Sequence, residues 1–313
     1  MEIKEYDVLV LGGGPAGYTA ALYAARAGLE TLVLEKFSAG GQMTQTQSID
    51  NYPGFDEGID GFSLGMKMQQ GAERFGAKSV MTEVLSVQLD APVKRIETDS
   101  GEYLARTVVL STGANPRPLG VAEESRFLGR GIHYCAACDG MFYRGKTVVV
   151  VGGGNTAAAD ALLLSRVAKQ VILVHRRDTL RATKIYHEPL MQAKNVEPHW
   201  NSTVVSLLEN ENGLSGVKLR NVQTGEESDI LCNGVFVSIG RNPATDLFRG
   251  QVQLDAGGYV IADESTRTNL PGVFAVGDLR TKALRQIITA ASDGAVAAFY
   301  AEEYLAETGA SAG

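Results

Sequence analysis

The sequence predicts an α/β fold built from two similar strand–turn–helix–strand units, the second inserted into the domain that the first begins. Three observations carry this expectation. A glycine-rich turn follows a short apolar run twice, 140 positions apart. A strand-and-turn segment further along also recurs. Glycine is over-used, at 36 of 313 residues, about 12% against a usual ~7%, and it falls in short clusters rather than low-complexity tracts.

The first unit opens with Asp7-Val8-Leu9-Val10-Leu11, a short buried strand, followed directly by Gly12-Gly13-Gly14-Pro15-Ala16-Gly17. A helix of small residues, Tyr18 to Ala27, comes next, and Thr31-Leu32-Val33-Leu34 makes a second strand ending at Glu35. The second unit repeats the pattern: strand 147–151, turn Gly152-Gly153-Gly154-Asn155-Thr156-Ala157, helix Thr156 to Arg166, strand 171–174, ending at His175. Both turns have the G-x-G-x-x-G/A spacing. Its first glycine permits a tight turn, its second lets a pyrophosphate approach the backbone, and its third position must be small for helix–strand packing. The anion then meets free N–H groups at a helix N-terminus. One match would be weak; two, each with the right flanking elements, point to two Rossmann-like dinucleotide sites.

The further echo pairs Val108–Pro116, which contains Thr112-Gly113, with Val235–Pro243, which contains Ile239-Gly240. Each reads as a buried strand and then an Asn-Pro turn that ends regular structure. These turns are natural crossing points. The expected division is a discontinuous first domain, 1–114 with 246–313, and an inserted domain, 115–245, joined by a two-stranded hinge. Residues 84–98 and 204–221 alternate enough to suggest small antiparallel sheets, giving three-layer ββα domains.

Composition excludes other classes. Hydrophobic residues at 44% and charged residues at 21% describe a globular chain. Three cysteines do not make a disulfide-built secreted scaffold. A net charge of −7 argues against nonspecific binding to nucleic acid. The start lacks a basic region with an apolar core, and no segment offers the roughly 20 apolar residues of a membrane span. The cytoplasm is the expected location.

Charge separates the two nucleotide sites. An acid at the end of the second strand, as at Glu35, accepts hydrogen bonds from ribose hydroxyls, which suits a bare adenosine ribose, as in FAD or NAD. The second unit ends instead in His175-Arg176-Arg177, with Arg181 placed one helical turn beyond Arg177. Guanidinium forks match phosphate geometry, so a 2′-phosphate, hence NADPH, is the natural ligand; a solvated basic patch is the alternative. Near the C-terminus, 272–278 reads as a strand ending in Gly277-Asp278, and Arg285-Gln286 opens the following helix. Asp278 could accept from a ribityl chain, or merely cap a helix.

Cys135-Ala136-Ala137-Cys138-Asp139-Gly140 is a C-x-x-C motif just before the second nucleotide strand. Helix from its start would lower a thiol pKa, and the spacing lets the sulfurs bridge. Zinc would need about four ligands, with only Cys232 and His133 left to supply them. Asp139 could protonate a departing thiolate, or cap a helix. Cys232 reads as packing, and His133, His187 and His199 as structural.

These motifs together, C-A-A-C-D-G at 135–140, H-R-R-D at 175–178 with Arg181-Ala182, and Gly277-Asp278 with Arg285-Gln286, closely resemble low-molecular-weight thioredoxin reductases, over residues 7 to about 305. The resemblance implies a homodimer that passes electrons from NADPH through FAD and a Cys135–Cys138 disulfide to thioredoxin. Because the nicotinamide site and the cysteines share the inserted domain while the flavin belongs to the other, that domain is expected to rotate between half-reactions; a static enzyme with the two on opposite flavin faces is the alternative. The resemblance also implies that Cys138 faces the flavin, Cys135 attacks the partner's disulfide, and Asp139 donates the proton. The implied FAD contacts are Gly12, Gly14, Pro15, Ala16, Gly17, Glu35, Gly40, Gly41, Gln42, Asn51, Thr112, Gly113, Gly277, Asp278, Arg285 and Gln286. Those for NADPH are Gly152, Gly154, Asn155, Thr156, His175, Arg176, Arg177, Arg181, Ile239 and Gly240. Arg130, Met141 and Phe142 match positions where the family docks thioredoxin; no metal is implied. Ala159 stands where many relatives carry an acid. A peroxidase-system reductase would carry a further N-terminal domain, a ferredoxin–NADP⁺ reductase would not need the cysteines, and a flavin-binding sensor would show no turnover.

Overall fold

The structure is a computed structural model describing residues 4–46, 48–211 and 213–310. The chain divides into two compact units, one of residues up to Asn115 with those from Asn242 onward, the other Pro116–Arg241.

In the first unit, β1 (Glu5–Leu11), α1 (Pro15–Arg26), β2 (Thr31–Glu35), α2 (Gly61–Glu73) and β3 (Lys78–Met81) build the parallel half of a seven-stranded sheet. Its order is β3-β2-β1-β6-β5-β4, with β4 (Val84–Gln88), β5 (Lys94–Thr98) and β6 (Gly101–Leu110); β17 (Val273–Ala275) also pairs with β6. The 84–98 segment is thus not a small separate sheet. β6 is long enough to hold β5 antiparallel along Gly101–Ala105 and β17 parallel along Val108–Leu110, so the hairpin extends the main sheet.

Alternation along these strands explains the layering. Val8, Val10, Val33 and Val109 face α1 and α6 (Ile287–Ala310), while Leu9, Leu11, Leu32 and Leu110 face the opposite layer with Phe248 and Val260. Each fully buried side chain of this size contributes about 1.5–3 kcal/mol. Helices α1 and α6 approach closely because Gly294 has no β-carbon; one there would collide with the Ala16 carbonyl.

The second unit contains β8 (Ile132–His133), α3 (Ala136–Asp139), β9 (Thr147–Val151), α4 (Asn155–Ser165), β10 (Gln170–Val174), α5 (His187–Gln192) and β11 (Val196–His199). A parallel sheet runs β11-β10-β9-β15-β8, with β15 at Gly234–Val237. Val148, Val150, Val171 and Leu173 pack on Ala157, Ala161 and Leu164 of α4. Val149, Val151, Ile172 and Val174 pack on Val204, Val217 and Leu219 of a three-stranded antiparallel sheet. That sheet is β12 (Ser202–Asn210), β13 (Gly213–Asn221) and β14 (Glu227–Leu231). Helix, parallel sheet and antiparallel sheet make three layers, and the runs of β-branched residues suit strands buried on both faces. The chain crosses between the units at two short strands, β7 (Ala114–Pro116) and β16 (Arg241–Pro243), which pair with each other.

Candidate active site

The two glycine turns have the same internal logic. Gly12 takes φ +106°, and a β-carbon there would lie 2.6 Å from the Ser111 carbonyl oxygen. Gly152, at φ +151°, would collide with the Ser238 carbonyl, and Gly17 with the carbonyl of Gly12. Protein packing alone demands these glycines. Gly14 and Gly154 differ: their φ values are −79° and −92°, and a β-carbon on either would meet nothing within 4 Å. Neither backbone nor neighbours require glycine there, which suits a ligand's close approach. Both residues cap their helices without a side-chain hydrogen bond, leaving first-turn N–H groups for an anion.

In the first unit, Glu35 binds the turn itself: Gly13 N–H donates to Oε2 at 2.6 Å and Phe37 N–H to Oε1 at 3.0 Å. Gly40 N–H donates to the Gly13 carbonyl at 2.8 Å, so the Gly40-Gly41 bend folds back toward Gly14. Gln42 Nε2 donates to the Ala114 carbonyl at 2.5 Å, and Thr112 Oγ1 to the Ala244 carbonyl at 2.7 Å. Ala244 N–H donates to the Gly113 carbonyl at 2.9 Å. Gly277, at φ +68°, would bring a β-carbon to 3.1 Å from that of Ala16, so the C-terminal strand end meets the start of α1, beside Pro15. Gly277-Asp278 forms a short 3₁₀ turn. Arg285 lies over the Tyr259 ring at 4.1 Å and donates to the Asp278 carbonyl at 3.3 Å. Gln286 accepts from Asn51 Nδ2 at 3.2 Å and sits just before α6 rather than inside it. The first-site residues that the sequence scatters over 275 positions thus converge.

In the second unit, residues 176–179 form bends and 180–181 have no regular structure, so the expected helical turn from Arg177 to Arg181 is absent. Backbone pairing replaces it: Arg181 N–H and Ala182 N–H both donate to the Gly153 carbonyl, at 2.7 and 3.1 Å. Thr183 N–H then donates to Asn155 Oδ1 at 2.8 Å, close to the exposed Thr156. Arg176, Arg177 and Arg181 are exposed, while His175 is buried against Gly153. Burial and then the charges of Arg181, Arg177 and Arg176 hold the imidazole below its usual value. Its Nε2 is buried with no hydrogen-bond partner. A cationic cluster beside an unsatisfied polar atom and an open glycine fits a phosphorylated nucleotide. Ile239 and Gly240 follow β15, and the Gly240 carbonyl accepts from Arg117 N–H at 3.0 Å.

Cys135 and Cys138 are joined as a disulfide. Cys135 caps the four-residue α3, and Cys138 N–H donates to Cys135 Sγ at 3.2 Å. So short a helix has little dipole to act on the cysteines. Asp139 caps no helix with its side chain. It pairs with His133, whose Nδ1 lies 2.9 Å from Asp139 Oδ2, and whose Nε2 lies 2.7 Å from the Tyr143 hydroxyl. From the sequence His133 reads as structural; its position two residues before the first cysteine was the available signal. Sequence reading also missed Asp293, which accepts the Gly277 N–H from inside α6, where an acid in an apolar helix was the signal. Cys232 is buried among apolar side chains, and burial pushes its thiol up to about 12, as suits packing. Met141 and Phe142 are exposed, as is Arg130. Among the described residues, no helix is long and apolar enough to cross a membrane.

Residues 6–294 match the pyridine nucleotide-disulphide oxidoreductase family. The chain is 45% identical over 303 residues to a thioredoxin reductase of Streptomyces clavuligerus, covering 96% of this chain and 94% of that one. It is 44% identical to one of Treponema pallidum, covering 96% and 97%. The crystal structure of thioredoxin reductase from Streptococcus pyogenes superposes with a TM-score of 0.90 at 42% identity, over 97% of this chain and 99% of that one. Matched in sequence and fold over nearly its whole length, the chain belongs to the pyridine nucleotide-disulphide oxidoreductase family, among its low-molecular-weight thioredoxin reductases.

Proposed function

We propose that this flavoprotein disulfide reductase uses NADPH and FAD to reduce oxidised thioredoxin through Cys135 and Cys138. The observation that carries the reading is the half-buried Cys135–Cys138 disulfide, in the same unit as the second glycine turn. The flavin, when bound, supplies the two-electron relay between a nicotinamide and that disulfide. The remaining work falls to the chain's own residues.

FAD belongs to the first unit, with its pyrophosphate at Gly14 and the start of α1 and a ribose on Glu35. NADPH belongs to the second, its 2′-phosphate held by Arg176, Arg177 and Arg181. Once the pair is reduced, Cys135 attacks one sulfur of thioredoxin's disulfide. The bond between thioredoxin's sulfurs breaks, and a mixed disulfide forms. Cys138 then attacks Cys135, restoring the intramolecular bond and releasing dithiol thioredoxin. Asp139 holds the proton exchanged with the cysteine pair. The exposed Met141 and Phe142, with Arg130, offer an apolar and cationic docking surface. The nucleotide turn and the disulfide lie in one unit and the flavin turn in the other, so serving one flavin requires the inserted unit to rotate on its two crossings. The enzyme is a cytoplasmic homodimer.

The test is anaerobic. NADPH should bleach the yellow holoprotein, and oxidised thioredoxin should restore the colour. Bleaching that thioredoxin leaves unchanged sinks the reading.

A further inference from the structure

We propose that His133 is a positioning residue for Asp139: backed by Tyr143, its imidazole fixes the carboxyl group that exchanges a proton with the cysteine pair. The proposal rests on the reading of Cys135–Cys138 as the redox pair.

The geometry is a closed relay. His133 is 5% exposed, between Asp139 at 2.9 Å and the Tyr143 hydroxyl at 2.7 Å. Its ring stacks on Phe236 with centroids 5.3 Å apart, and Tyr143 meets both rings edge-on. The imidazole therefore has one orientation. Burial first, and then the neighbouring Asp139 and Cys232, push the Tyr143 phenol up to about 12, so it keeps its O–H at neutral pH. In the arrangement proposed, the Tyr143 hydroxyl donates to Nε2, and the imidazole proton on Nδ1 is donated to Asp139 Oδ2. Asp139 Oδ1 is then the oxygen free to carry an exchangeable proton. The charged and titratable groups facing this relay are Asp139 from α3, Tyr143 from the turn after it, Cys232 between β14 and β15, and Lys146, whose Nζ lies 5.5 Å from the Tyr143 ring centre.

The step it serves balances. A dithiol's thiolate attacks one sulfur of the Cys135–Cys138 bond, forming a new S–S bond. The bonding pair leaves on the other cysteine sulfur, which takes the proton from Asp139. The second thiol of the reagent, losing its proton, closes the reagent's disulfide and frees the first cysteine, which takes up that proton through solvent. Solvent returns the proton to Asp139, so one disulfide is reduced and one dithiol oxidised.

The experiment follows this exchange on the whole flavoprotein with dithiothreitol, counting cysteine thiols by quenched alkylation and mass, without NADPH or thioredoxin. His133→Phe keeps the stacking and removes both hydrogen bonds, and should slow exchange about tenfold, a loss of the size of one or two neutral hydrogen bonds. His133→Asn, which restores a donor near the Nδ1 position, should recover most of that rate. In an Asp139→Asn background, His133→Phe should add nothing, because the histidine acts through the carboxyl. Equal slowing in both backgrounds, or no slowing in either, overturns the proposal. Should His133→Phe not fold, Tyr143→Phe tests the same relay: a slowing of about threefold that vanishes with Asp139→Asn supports it, and any other pattern overturns it. In a separate assay, a wild-type pair that dithiothreitol reduces but oxidised thioredoxin never reoxidises would instead count against the proposed function, leaving the role of His133 decided by the mutant rates.

Discussion

Asp293, inside the last helix, accepts the backbone N–H of Gly277 at 2.9 Å. The same carboxyl also accepts from Arg280 Nε and Nη2, at 2.9 and 2.8 Å, and from Lys282 Nζ at 2.8 Å. All three side chains are nearly buried. One carboxylate thus ties the end of β17, where it meets α1, to the helix that covers the sheet. Burial alone would raise this carboxyl, but the hydrogen bonds and charges of Arg280 and Lys282 outweigh it and hold it below the usual carboxylate range. Its contribution is complete above the unfolded-state value near 4 and is lost as pH falls through the lower folded value. Asp293→Asn leaves two buried cations short of a charge, and should cost roughly 3–5 kcal/mol in denaturant unfolding of the first unit. It should also flatten the acid limb of stability below about pH 4; a limb as steep as wild type would contradict this assignment.

The glycines of one turn should separate fold from ligand. Gly12→Ala strains a positive φ and presses on Ser111, so it should destabilise the protein by about 1–3 kcal/mol or more. Gly14→Ala meets nothing in the protein and should leave the melting curve of the apoprotein within about 0.5 kcal/mol of wild type. Its flavin content after purification should nonetheless fall severalfold. Full flavin occupancy in Gly14→Ala would remove the pyrophosphate from this turn.

The cysteine pair should be needed for reduction of thioredoxin but not of the flavin. Thiolate–disulfide exchange is the route here to a protein disulfide. Cys135→Ser and Cys138→Ser should each lose thioredoxin turnover while NADPH still bleaches the flavin; retained turnover in either variant would refute the assignment.

Nucleotide choice should follow the arginine cluster. Charge-assisted bonds are worth about 1.5–3 kcal/mol each when desolvated, and less here because the guanidinium groups are exposed. Replacing Arg176 and Arg177 together by Ala should raise the KM for NADPH roughly tenfold to a hundredfold and leave that for NADH nearly unchanged. Steady-state kinetics with both nucleotides decides the point, and a parallel rise for NADH would assign the arginines to something other than the 2′-phosphate.

What the sequence determined by itself is local and repetitive. The two glycine turns, the acid at Glu35 against His175-Arg176-Arg177, and the C-x-x-C at 135–138 each lie within a short window, where spacing and side-chain chemistry carry the meaning. The duplicated units were legible because the same backbone conformation needs the same residues twice. What tertiary structure decided involves partners distant in sequence or in a different local conformation. The hairpin at 84–98 joins the main sheet because β6 offers it an edge, which strand alternation cannot reveal. Arg181 reaches the second turn through the Gly153 carbonyl, not through a helix. Asp293 goes unremarked and His133 reads as structural, because a buried polar group is explained only by its partners. Those partners, Gly277 and Arg280 for one and Asp139 and Tyr143 for the other, are brought into hydrogen-bonding range only when the chain packs.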